Sequence, residues 1–114
     1  MKQRDPRLCL KEMLDAIERI ERYIAGWSLS QFLDDPLRQD AITRRLEVLG
    51  DACRQLPAEL LSAWPEVRWE EIRGMRNRLA HEYDDIDMPT VWDAATSDLP
   101  VLKIVIKAML TQLG

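Results

Sequence analysis

The chain has 114 residues, 46% of them hydrophobic and 32% charged, which is the make-up of one globular domain with one core and excludes a disordered or fibrous segment. Sixteen basic residues against 20 acidic ones leave a formal charge of −4. That balance excludes a protein that coats nucleic acid through bulk charge, so any attraction for RNA must be local.

Cys9 and Cys53 stand far apart with no C-x-x-C pattern, so neither a disulfide scaffold nor a zinc site is indicated, and both read as small core residues. The N-terminal stretch MKQRDPRLCL begins with charge and has no long apolar region, so no signal peptide or anchor is expected. The apolar run from Ile104 to Leu110 is interrupted by Lys107 and falls short of the roughly 20 residues of a membrane span. A cytoplasmic protein is the expectation.

In chain order, Leu10, Met13, Leu14, Ile17, Ile20 and Ile24 recur three and four residues apart, which predicts an amphipathic helix from Leu8 to Ile24. Gly26 and the segment Trp27-Ser28-Leu29-Ser30 break it, and Ser30 is placed to cap a short turn through Phe32 and Leu33. Asp35 before Pro36 is a strong helix start, because the carboxylate caps free amides and proline loses nothing at the first helical position. The second helix is predicted from Pro36 to Leu56, burying Ile42, Leu46, Leu49, Cys53 and Leu56 and stopping at Pro57. Gly50 inside it costs about 1 kcal/mol relative to alanine, which points to a close approach by another element, the third long helix being the candidate. LLSAW at 60–64 forms at most a short turn before Trp64-Pro65 forces an extended bend.

The third long helix begins at Trp69 in WEEIRGMRNRLAHEYD, with Trp69, Ile72, Met75, Leu79 and Ile86 on its buried side. The cluster at 84–87 and then Met88-Pro89 are expected to end regular structure, with Thr90 capping the last helix. There Trp92, Ala95, Leu99, Leu102, Ile106, Met109 and Leu113 form a heptad-like seam. Pro100 inside that seam removes a bond to Thr96 and predicts a kink. No strand pattern or internal repeat is present. The reading is a single all-α domain over 1–114, an up-down four-helix bundle with a kinked C-terminal helix, its long apolar seam favouring pairing with a second copy.

The chemistry concentrates on the third helix. Arg76 sits at the border of the buried face, Asn77 and His81 are one turn apart, and Tyr83 returns to nearly the direction of Arg76 two turns later. His81 is the chain's single histidine. Taken singly, each has an ordinary explanation: a surface imidazole, a solvated arginine, an aromatic at the core's edge. Arg68, Arg73, Arg76 and Arg78 place four cations in this stretch, and Arg44, Arg45 and Arg54 lie on the preceding helix. Their ordinary use is pairing with Glu70, Glu71, Glu47 and Asp51 on solvated faces.

Arg76, His81 and Tyr83 together spell R-x4-H-x-Y, which resembles the signature of the HepT toxins of the HEPN superfamily of helical ribonucleases. LRQDAITRRLEVLGDA at 37–52 resembles that family's second helix and IDMPTVWDAATSDLPVLK at 86–103 its continuation, so the resemblance covers most of the chain. Asp51 departs from the glutamate expected after the helix glycine. The resemblance implies a homodimer with a shared active site and a nucleotidyltransferase antitoxin that attaches AMP to Tyr83.

RNA carries its own nucleophile, the 2′-OH, so cleavage needs a base, an acid for the 5′-leaving oxygen and a cation for the phosphoryl oxygens, with no cofactor. His81 suits proton transfer, Arg76 can grip a phosphate, and Asn77 can orient either, with Asp84 supporting the end of the motif. A scheme with two histidines needs His81 from two subunits in one cleft. No ligand set for a metal is recognisable: Asp84 and Asp85 read as solvated carboxylates. The alternative is a non-catalytic helical partner of a minimal nucleotidyltransferase, which fits the net acidity but needs neither the arginine nor the histidine; a plain dimerising bundle is a third reading.

Overall fold

Two Asp-Pro pairs start the two helices on which the bundle is built. In the computed structural model, which describes residues 4–81 and 86–114 apart from the side chains of Ala80 and His81, α1 spans Pro6–Ile24. Asp5 Oδ1 accepts from the Arg7 amide at 3.0 Å. This start lies two residues before the predicted one, because Asp5-Pro6 carries the same capping chemistry as Asp35-Pro36. Cys9, Leu10, Met13, Ala16, Ile17 and Ile20 form its buried stripe. Gly26, at φ +77, then turns the chain through the left-handed region that side-chain-bearing residues avoid.

The short α2 (Leu29–Leu33) is capped by Ser28 and not by Ser30. Ser28 Oγ accepts from the Gln31 amide at 3.2 Å while Gln31 Oε1 accepts from the Ser28 amide at 2.9 Å, a reciprocal box that Ser30 has no partner to make. It plugs the core with Phe32, fully buried and 5.2 Å from the Trp92 ring centre.

α3 (Pro36–Arg54) begins with Asp35 Oδ1 accepting from the Arg38 amide at 3.1 Å. It runs through the middle of the fold, packed against α1 on one side and α5 on the other. After α4 (Ala58–Ser62), the bend is held by Trp69 Nε1 donating to the Trp64 carbonyl at 2.9 Å, which sets the start of α5 (Trp69–His81). Trp69 and Leu79 are buried and Ile72 and Met75 partly so, the face expected from their spacing.

The last helix differs from expectation at its start. α6 (Met88–Asp93) begins at the Met88-Pro89 pair, with Asp87 at the cap position and Thr90 inside the first turn. Thr90 Oγ1 donates to Asp87 Oδ2 at 2.8 Å instead of capping. Proline in a first turn forfeits no hydrogen bond, so Met88-Pro89 starts a helix as readily as it ends one. The interruption expected from Pro100 takes the form of a π-helical turn over Ala94–Asp98, where the Leu99 amide reaches back five residues to the Ala94 carbonyl. Pro100 then falls in the first turn of α7 (Leu99–Leu113), where its missing N–H costs little. Leu99, Leu102, Ile106 and Met109 are buried, whereas Leu113 is exposed at the fraying end.

α7 packs on α1, and α2 bridges α3 and α6. All regular structure among the described residues is helical, and the four long helices, the last built from α6, the π turn and α7, make the expected all-α bundle around one continuous core. No helix among the described residues is long and apolar enough to cross a membrane.

Candidate active site

The site is positioned by the contact between α3 and α5. Gly50 is buried, and a Cβ there would lie 2.8 Å from the Ile72 carbonyl oxygen and 3.1 Å from the Arg76 amide nitrogen. Only a residue without a side chain lets the two helices approach this closely. The approach expected at Gly50 is therefore that of α5, at the backbone of Arg76.

Arg76 and Asn77 emerge from this crossing exposed to solvent. Arg76 Nη1 donates to Asn77 Oδ1 at 3.4 Å. Arg54, at the end of α3, donates to the same oxygen from its Nη1 at 3.2 Å. Two guanidinium groups thus converge on one neutral amide. The sequence groups Arg54 only with the other cations near the motif and does not single it out, although its spacing of four residues from Gly50 puts it on the α3 face that meets α5.

The ordinary ion pairs are present for part of the arginine set. Arg44 pairs with Glu47 at 3.2 Å, Arg68 with Glu71 at 3.3 Å and Arg73 with Glu70 at 3.5 Å, each three residues apart on an open surface, where such pairs contribute little. Arg45, Arg54, Arg76 and Arg78 make no ion pair among the described residues. Arg76 borders a groove with Glu12, Arg44, Glu47, Val48, Asp51 and Ala52. Arg4 pairs with Glu12 and, through that hydrogen bond, holds the Glu12 carboxyl below its usual range. Asp51 is exposed and makes no ion pair among the described residues. Arg78 lines a separate groove between α5 and α6 with Leu46, Met75, Ile86, Asp87 and Thr90.

His81 closes α5, five residues after Arg76; its side chain, and the roles read for Tyr83, Asp84 and Asp85, lie outside the described residues. Among the described residues no three His, Cys, Asp or Glu side chains gather in a set that could hold a metal ion.

These features define a class of protein, a helical bundle that displays an arginine and an amide, free of carboxylate partners among the described residues, on the helix that ends in its single histidine. The family described as "Ribonuclease HepT-like" matches residues 13–109, which include the whole of α3, α5 and α6. The chain belongs to the HepT-like ribonuclease family. It is 33% identical over 105 residues to the protein named "Putative RNase TTE0752" from Caldanaerobacter subterraneus subsp. tengcongensis, across 92% of this chain and 94% of that one. It is 34% identical over 94 residues to the "Probable ribonuclease HepT" of Thermococcus cleftensis, across 82% of this chain and 86% of that one. No solved structure matches it.

Proposed function

We propose that this chain is a metal-independent endoribonuclease that cleaves RNA by attack of the 2′-OH on the adjacent phosphorus. The P–O5′ bond breaks as the O2′–P bond forms, leaving a 2′,3′-cyclic phosphate and a free 5′-hydroxyl. Arg76 neutralises charge on the phosphoryl oxygens, and His81 transfers the protons at O2′ and O5′. Asn77 orients the Arg76 guanidinium. Since each chain carries one histidine, a base and an acid that are both histidines require a homodimer in which two copies contribute to one cleft. The observation that carries this reading is Arg76 itself, exposed on α5 with a neutral amide as partner and no carboxylate bound to it among the described residues.

By resemblance to the HepT toxins, the same reading extends to control. A nucleotidyltransferase antitoxin attaches AMP to Tyr83, and the added phosphodiester charge engages Arg76 in place of substrate. Asp84 supports the end of the motif. The competing reading, a non-catalytic partner of such a transferase, draws on the net acidity and on the ion pairs that occupy Arg44, Arg68 and Arg73.

The deciding experiment incubates purified wild type, Arg76→Ala and His81→Ala with single-stranded RNA in the presence of a chelator. Cleavage by wild type alone, with cyclic-phosphate ends, supports the proposal; equal cleavage by all three, or loss of wild-type activity on chelation, removes it.

A further inference from the structure

Asn77 Oδ1 receives hydrogen bonds from Arg54 Nη1 on α3 and Arg76 Nη1 on α5, at 3.2 and 3.4 Å. A carbonyl oxygen of an amide carries only partial charge, so it gathers the two guanidiniums without neutralising either. The two like charges repel, and an anion lodged between them relieves that repulsion. No carboxylate among the described residues supplies such an anion to either.

The surroundings give this pair a direction. Glu47 and Asp51 lie two turns and one turn back along α3 from Arg54, and both border the groove that Arg76 faces. Glu47 is paired with Arg44, but Asp51 is not paired among the described residues and repels a polyanion. A strand that engages Arg76 is therefore turned away from the middle of α3 and drawn toward its C-terminal end, where Arg54 stands.

We propose that Arg54 is an RNA-binding residue, seating the backbone phosphate next to the one that Arg76 clamps for cleavage, while the Asn77 amide holds the two guanidiniums in register. The assignment rests on the reading that RNA is the substrate. It makes the end of α3 part of the binding track and gives Arg54 a role in affinity and none in proton transfer.

The probe is a fluorescent single-stranded RNA whose 2′-hydroxyls are all methylated, so that it binds without being cut. Its Kd is measured against salt for wild type, Arg54→Ala, Arg54→Gln and Arg44→Ala. Wild type is expected to bind, with Arg54→Ala and Arg54→Gln weaker by about ten-fold, the loss that one charge-assisted hydrogen bond gives. The slope of log K against log salt falls by about 0.7 in both, as removal of one phosphate contact to a single strand requires. Arg44→Ala, whose charge is already paired, stays near wild type. On unmodified RNA the Arg54 variants raise KM and leave kcat in place. Arg54 variants with wild-type Kd and salt slope, or a wild type that does not bind, overturn the proposal. If cleavage proceeds normally with Arg54 replaced, the nuclease reading stands and this site falls. If wild type binds through Arg54 but never cuts unmodified RNA, the site stands and the nuclease reading falls.

Discussion

A Cβ on Gly50 would lie 3.1 Å from the amide nitrogen of Arg76. The absence of a side chain on α3 thus decides where the exposed cation on α5 is held, and packing and chemistry meet in one contact. Gly50→Ala should destabilise the fold by about 1–3 kcal/mol, because the added methyl meets the Ile72 carbonyl at 2.8 Å and overpacking outweighs the gain of about 1 kcal/mol in helix propensity. RNA cleavage should fall further than the folded fraction does, since α5 must shift to make room. Urea denaturation read beside cleavage rates separates the two effects.

Arg76→Ala and His81→Ala should each reduce RNA cleavage by at least about 100-fold, the usual contribution of a positioned proton-transfer group or charge clamp. Arg76 is exposed, so its replacement should leave the urea midpoint nearly unchanged. Initial rates on a labelled RNA check the outcome; residual activity above a tenth of wild type assigns the chemistry elsewhere.

Asn77→Asp separates charge from shape. The new carboxylate faces Arg54 and Arg76, which both donate to this position, and forms surface ion pairs of at most about 1 kcal/mol. Stability should hold or rise slightly while RNA affinity drops, because the carboxylate cancels one of the two guanidinium charges and competes with a phosphate for both donors. Thermal melting with RNA binding on the same samples reads both signs, and Asn77→Ala should fall between wild type and Asn77→Asp in affinity.

If base and acid are two copies of His81, a mixed dimer tells. Co-purified heterodimers of tagged wild type and His81→Ala should cleave at only a few per cent of the wild-type rate, whereas independent sites would retain about half. Sedimentation of the unmixed protein should show a dimer in the same buffer.

Cys53 is buried, and burial pushes its thiol up from 9.0 to about 12. The native thiol should resist alkylation at pH 8 and react only as the chain unfolds. Between pH 9 and 12 the folded state keeps a proton that the unfolded chain gives up, so stability is complete below that window. It falls as pH rises through it, by up to about 1.4 kcal/mol per pH unit. Cys53→Ala should flatten the decline, measured as the urea midpoint against pH.

Much of the bundle was legible from spacing and caps. The apolar stripes of α1, α3, α5 and α7 recur at helical intervals, and Asp35-Pro36 marks its helix directly, because these signals act within a turn or two of chain. Misreadings came from equally local choices between near equivalents: Ser28 or Ser30, Asp87 or Thr90, Leu8 or the Asp5-Pro6 pair. In each the side chain that found a reciprocal partner, or the proline that could occupy a first turn, prevailed.

Residue order alone dictates the helices, marks Arg76, Asn77 and His81 as a group on one of them, and signals through Gly50 that something must approach α3. The crossing of α3 and α5 decides what approaches, and it brings Arg54 to Asn77 across 23 positions of sequence. Helix periodicity is written by neighbours three and four residues apart, whereas two guanidiniums meet at one amide only when separate helices are fitted together by their cores.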